Sequence, residues 1–79
     1  MTGIQYVKAY RAGARQLATI AYGARFFRMG ISLVDAIDFA DMGYTPDEVA
    51  ILAEMGYSTP AQAREIEDGE AFLLILERL

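Results

Sequence analysis

Apolar positions in the first third of the chain recur at alternating steps of four and three. They are Tyr6, Tyr10, Gly13, Leu17, Ile20, Ala24 and Phe27, the spacing of a helical packing seam. Val7, Ala14, Ala18 and Ala21 widen this stripe to nearly half the circumference, and no proline interrupts it. The pattern predicts one long helix over 4–28, about 38 Å from end to end at ~1.5 Å per residue. Gly23 is a candidate early stop, since glycine costs roughly 1 kcal/mol relative to alanine in a helix. Gly13 and Ala24 permit close approach by another helix, whether from the same chain, a second copy or another protein.

Beyond residue 28 the pattern changes to a repeat. Glycines stand at Gly30, Gly43, Gly56 and Gly69, a constant step of thirteen, and the first three sit in Met29-Gly30-Ile31-Ser32, Met42-Gly43-Tyr44-Thr45 and Met55-Gly56-Tyr57-Ser58. Glycine just past a periodic segment is the left-handed residue that ends a helix. A Schellman ending also pairs the residue after the glycine with an apolar one five positions earlier. Ile31 with Phe26, Tyr44 with Phe39 and Tyr57 with Leu52 all satisfy this, whereas the fourth pair would be Glu70 with Glu65. Gly69 is therefore expected to open a helix rather than close one.

Ser32, Thr45 and Thr59 are the matching N-caps. Thr45-Pro46-Asp47-Glu48 forms a capping box with proline at the first helical position, and Thr59-Pro60-Ala61-Gln62 repeats it one residue late. Short helices are expected at 32–42, 46–55, 60–67 and 69–78. Each is too short to persist alone and must be held by packing. Their apolar faces are Leu33, Ile37 and Ala40, then Val49, Leu52 and Ala53, then Ala63 and Ile66. The run Phe72–Leu76 is apolar nearly all round and predicts a central or interface element.

Composition narrows the chemistry. The chain has 79 residues, without cysteine or histidine, which removes disulfides, thiolate and imidazole chemistry and the usual zinc sites. At this length one domain is expected, with a core that benefits from a partner. Asp35, Asp38 and Asp41 spiral across a helix surface without a loop to complete a cation site. No cofactor and no catalysis are therefore expected. The absence of a long apolar run or a leader pattern predicts a soluble protein, cytoplasmic or carried on a virion, with no membrane partner.

Charge is divided along the chain. Lys8, Arg11, Arg15, Arg25 and Arg28 give +5 before Met29, and the remainder carries −9, for a net −4. Such a division marks either a binding surface or an electrostatic contact inside the fold. Lys8, Arg11 and Arg15 share one sector of the first helix, with Tyr22 and Phe26 further along. These five are the candidate partner-binding residues. Arginine interleaved with aromatics also suits phosphates and bases, although the acidic remainder opposes a polyanion.

Phe39-Ala40-Asp41-Met42-Gly43-Tyr44-Thr45-Pro46 resembles a helix-turn-helix, with Gly43 at the turn and Thr45–Met55 as the second helix. That resemblance implies DNA reading by a helix that here carries Asp47, Glu48 and Glu54 and no base. Met42-Gly43-Tyr44 also resembles the loop of ubiquitin-associated domains, compact three-helix modules whose loop and third helix contact ubiquitin. The Schellman geometry accounts for this tripeptide without either family, so both remain analogies of fold.

The resulting expectation is an all-α domain over 1–79, with a long basic helix at 4–28 packed on an acidic array of short helices over 29–79. Its expected role is non-catalytic protein–protein interaction, as a self-assembling structural subunit or as a small adaptor or inhibitor docking on a larger complex. The seven seam positions are the candidate oligomer contact. The alternative is a small nucleic-acid-binding regulator using the basic face. Six arginines against one lysine, with many alanines, suggest an accessory protein of a phage or mobile element.

Overall fold

The structure, a computed structural model, describes residues 1–78, with side chains through Gly69. It is all-α: α1 Gly3–Gly13, α2 Ile20–Arg28, α3 Leu33–Asp41, α4 Pro46–Glu54 and α5 Pro60–Arg78. A hydroxyl caps the start of every helix. Thr2, Thr19, Ser32, Thr45 and Thr59 each accept from the backbone N–H three residues on, at 3.1–3.3 Å. Gln5, Glu48 and Gln62 reach back to the cap's own N–H in three reciprocal boxes.

The thirteen-residue turns form as their sequence predicts. Gly30, Gly43 and Gly56 have φ of +75°, +87° and +94°. Ile31 donates to the Phe26 carbonyl, Tyr44 to Phe39 and Tyr57 to Leu52, at 3.2, 3.0 and 2.8 Å. Each glycine N–H meanwhile donates to the carbonyl three residues earlier, which completes the Schellman pair. The fourth glycine differs: Gly69 lies inside α5, so the expected helices 60–67 and 69–78 are one. Without an apolar partner to fix a turn, nothing at Gly69 offsets helix continuation. Alanine at Gly43 or Gly56 should therefore cost about 1 kcal/mol or more, because a Cβ is disfavoured at positive φ. At Gly69, where an added Cβ meets open space, alanine should stabilise by up to about 1 kcal/mol. Urea denaturation of the three variants checks the change of sign.

The long first helix is corrected by the structure. It breaks after Gly13, and residues 14–19 reverse the chain into a helical hairpin of α1 on α2. Ala14 is extended and Leu17 takes φ +54°. The detour is bonded at several points: the Tyr10 hydroxyl donates to the Leu17 carbonyl at 2.6 Å. The Arg15 N–H donates to Asp41 Oδ1 at 2.7 Å and Gln16 Nε2 to the Asp41 carbonyl at 2.9 Å. Thr19 then caps a new helix. The reason is burial, because a straight rod would leave Tyr6 and Tyr10 on one face and Phe26 on the opposite one, where no single core could cover all three. Folded back, Tyr6 meets Phe27 edge-on with centroids 5.3 Å apart, and Tyr10 lies 5.7 Å from Phe26.

Tyr6, Tyr10 and Phe26 join Phe39, Val49, Ala36, Ala40, Ala14 and Ala63 in the core. Among the described residues no charged or polar side chain is buried. Small residues serve close approach within the chain: Gly13 faces Ile37, and Gly23 lies under the Tyr10 ring. The Phe72–Leu76 run, expected as a central or interface element, lies outside the described side chains.

Tyr6 adds a pH dependence. Its hydroxyl donates to the Ile31 carbonyl at 2.8 Å. Burial first, then Tyr10 and Asp35, push its pKa up from 10.0 to about 12. A raised folded-state pKa leaves stability intact below pH 10 and removes it as pH climbs toward 12. Alkaline unfolding followed by circular dichroism should show this decline. Tyr6→Phe should reduce it while lowering neutral-pH stability by about 1 kcal/mol for the lost hydrogen bond.

Candidate functional site

The hairpin creates an apolar surface groove. Between α1 and α2 runs an open groove of about 490 Å³, lined by Gly3, Ile4, Val7, Lys8 and Arg11 on one side and Ile20, Ala24, Phe27 and Arg28 on the other. Its floor is apolar and unusually exposed: Ile4 at 72%, Ile20 at 61% and Phe27 at 40%. Phe27 is held in place by its edge contact with Tyr6 and by Gly3, which leaves room for the ring. The rim is wholly cationic, with Lys8 and Arg11 from α1 and Arg28 from α2. Basic side chains near the C-terminal ends of both helices also suit the helix dipoles.

Arg25, by contrast, is spent on the fold. It forms a short ion pair with Asp47 at the start of α4. Hydrogen bonding and charge attraction between the two raise the Arg25 pKa and hold the Asp47 carboxyl below its ordinary value. Both groups are exposed, so the pair orients α2 on α4 more than it stabilises them. It is the single ion pair among the described residues, and Lys8, Arg11 and Arg28 pair with no described carboxylate. The divided charge of the chain is thus an internal contact at one arginine and an open surface at three other cations.

The candidate residues from the sequence do not form one site. Lys8 and Arg11 line the groove, but Arg15 sits in the loop and uses its N–H on Asp41. Tyr22 is half-buried and Phe26 fully buried against the core. The seam also divides. Tyr6 and Tyr10 are in the core, Gly13 approaches Ile37 and Leu17 is in the loop, while Ile20, Ala24 and Phe27 line the groove. Sequence reading missed Ile4 and Arg28 as groove residues. The signal for Ile4 is its i, i+4, i+7 spacing with Lys8 and Arg11, and the signal for Arg28 is the Thr19 cap: once α2 starts at Ile20, Ile20, Ala24, Phe27 and Arg28 share a face.

The groove's described side chains include no carboxylate, hydroxyl or amide. They can bind an anionic, partly apolar surface, but they offer no pair for acid–base or nucleophilic work. A second cleft near Ser32, Asp35 and Ser58 is more polar, and the Ser32 hydroxyl there is committed as a helix cap. No helix among the described residues is long and apolar enough to cross a membrane. Comparison with protein-family models, curated proteins and solved structures finds no match.

Proposed function

We propose that this chain is a non-catalytic protein–protein interaction module, a structural subunit or a small adaptor or inhibitor, whose docking surface is the α1/α2 groove. The observation that carries this reading is an apolar floor of Ile4, Ile20 and Phe27 under a rim of Lys8, Arg11 and Arg28 that forms no ion pair among the described residues. Exposed apolar patches rimmed by polar groups are characteristic of binding surfaces. Aromatic and arginine side chains supply much of the energy in such contacts, and rim charges steer the encounter. The arginine-rich composition fits an accessory protein of a phage or mobile element, working in the cytoplasm or on the virion.

The test compares wild type with Ile4→Asp/Ile20→Asp. Both positions are exposed and lie in first turns that hold no acidic residue, where a carboxylate suits the helix dipole. The variant should therefore keep its helicity. Affinity capture from cells that make the protein should retain a partner, or the chain itself, on wild type and lose it on the variant. Direct mixing of purified components then verifies it. Nucleic-acid binding by wild type with a log–log salt slope of about −2 to −3, as three neutralised phosphates require, would overturn this reading.

A further inference from the structure

Resting on the interaction reading above, we infer that the groove receives the C-terminal part of α5, residues 70–78, from a second copy of the chain. Charge complementarity is the first argument. The groove offers Lys8, Arg11 and Arg28 around an apolar floor. Residues 70–78 read Glu70-Ala71-Phe72-Leu73-Leu74-Ile75-Leu76-Glu77-Arg78, six consecutive apolar residues bracketed by acids and followed by one base. Each has what the other lacks.

Length is the second argument. As helix, residues 70–78 extend about 14 Å, close to the ~14–16 Å of α2 and α1. The groove can hold that segment and little more. Continuity of α5 is the third. Pro60–Arg78 is one helix, anchored at its start by buried Pro60 and Ala63 and meeting the body at α3. As one unbroken helix, α5 can present residues 70–78 to the groove of a neighbour without a break at Gly69. Two chains that exchange this segment reciprocally close into a dimer with both grooves filled, leaving no open end for further addition.

Sedimentation of the full-length chain across the micromolar range tests the exchange with three variants. These are Ile4→Asp/Ile20→Asp in the groove, Glu70→Lys/Glu77→Lys in the segment, and the charge swap that adds Lys8→Glu/Arg11→Glu/Arg28→Glu to the latter. Wild type should dimerise, and the groove variant should weaken association by at least about tenfold, the loss expected for two apolar contacts. The segment variant should also weaken it, the swap should recover it, and mixing the groove and segment variants should give a heterodimer through the one intact pairing. Circular dichroism of each variant separates lost association from lost folding.

Dimerisation sensitive to the groove but indifferent to Glu70 and Glu77, with no recovery in the swap, would overturn the inference in favour of groove meeting groove. Sensitivity to the segment alone would overturn it in favour of segment meeting segment. A wild type that stays monomeric would overturn it as well. Docking of a foreign protein would still be read independently by the capture experiment, so the two proposals fail separately.

Discussion

Replacing Phe26 with alanine is expected to destabilise the fold by about 3–5 kcal/mol, the usual loss for a buried phenylalanine. At about 0.05–0.15 kcal/mol per residue, a chain of this length has roughly 4–12 kcal/mol in total. One truncation therefore removes much or all of it. Phe26 has no exposed surface, tilts against Tyr10 and gives its carbonyl to the turn at Gly30. The substitution thus empties the junction of α1, α2 and the first turn together. Urea unfolding should show a collapsed midpoint, with circular dichroism reporting partial loss of helix at neutral pH. An outward-facing Phe26, as a straight first helix would have it, predicts a change within about 0.5 kcal/mol.

Gly23→Ala is the second large effect, and its sign is diagnostic. In an uninterrupted helix over 4–28, alanine there would add about 1 kcal/mol of stability. In the hairpin, the new Cβ would lie 2.9 Å from Tyr10 Cδ1 and 3.4 Å from Cγ. The Tyr10 ring cannot easily retreat, since its hydroxyl is tied to the Leu17 carbonyl and its face is against Phe26. The helices must part, at a cost of about 1–3 kcal/mol for overpacking. Thermal denaturation of the single variant distinguishes the two architectures, because a rise in Tm would contradict the hairpin.

The parts of this fold that can be read from sequence are those whose causes are local. Gly30, Gly43 and Gly56 each end a helix through a left-handed residue and an apolar pair within six positions. Ser32, Thr45 and Thr59 each start one through a hydroxyl three residues from its donor. Neither device needs knowledge of the rest of the chain. Gly69 shares the spacing but not the apolar pair, and the missing pair already separates it from the other three.

The hairpin is different because its cause is tertiary. Tyr6, Tyr10, Leu17, Ile20 and Phe27 keep helical periodicity straight through the break, although Tyr6 and Tyr10 face the core while Ile20 and Phe27 line the groove. Thr19 carries a cap signal no weaker than Ser32, but the surrounding period outweighs it in a linear reading. Asp41, which anchors the loop through Arg15 and Gln16, is 26 residues from the first of them. The groove inherits this difficulty. Ile4, Lys8 and Arg11 share one face of α1, whereas Arg28 joins them only after the chain reverses.

We propose the α1/α2 groove as the surface through which this protein docks. Backbone amide resonances of the 15N-labelled chain, followed as the captured partner or additional unlabelled chain is titrated in, test it most directly. Docking there should concentrate shifts at Ile4, Val7, Lys8, Arg11, Ile20, Ala24, Phe27 and Arg28, with Glu48 and Glu54 on α4 unmoved. Shifts centred on α4 and the Gly43 turn, with the groove amides unchanged, would contradict it.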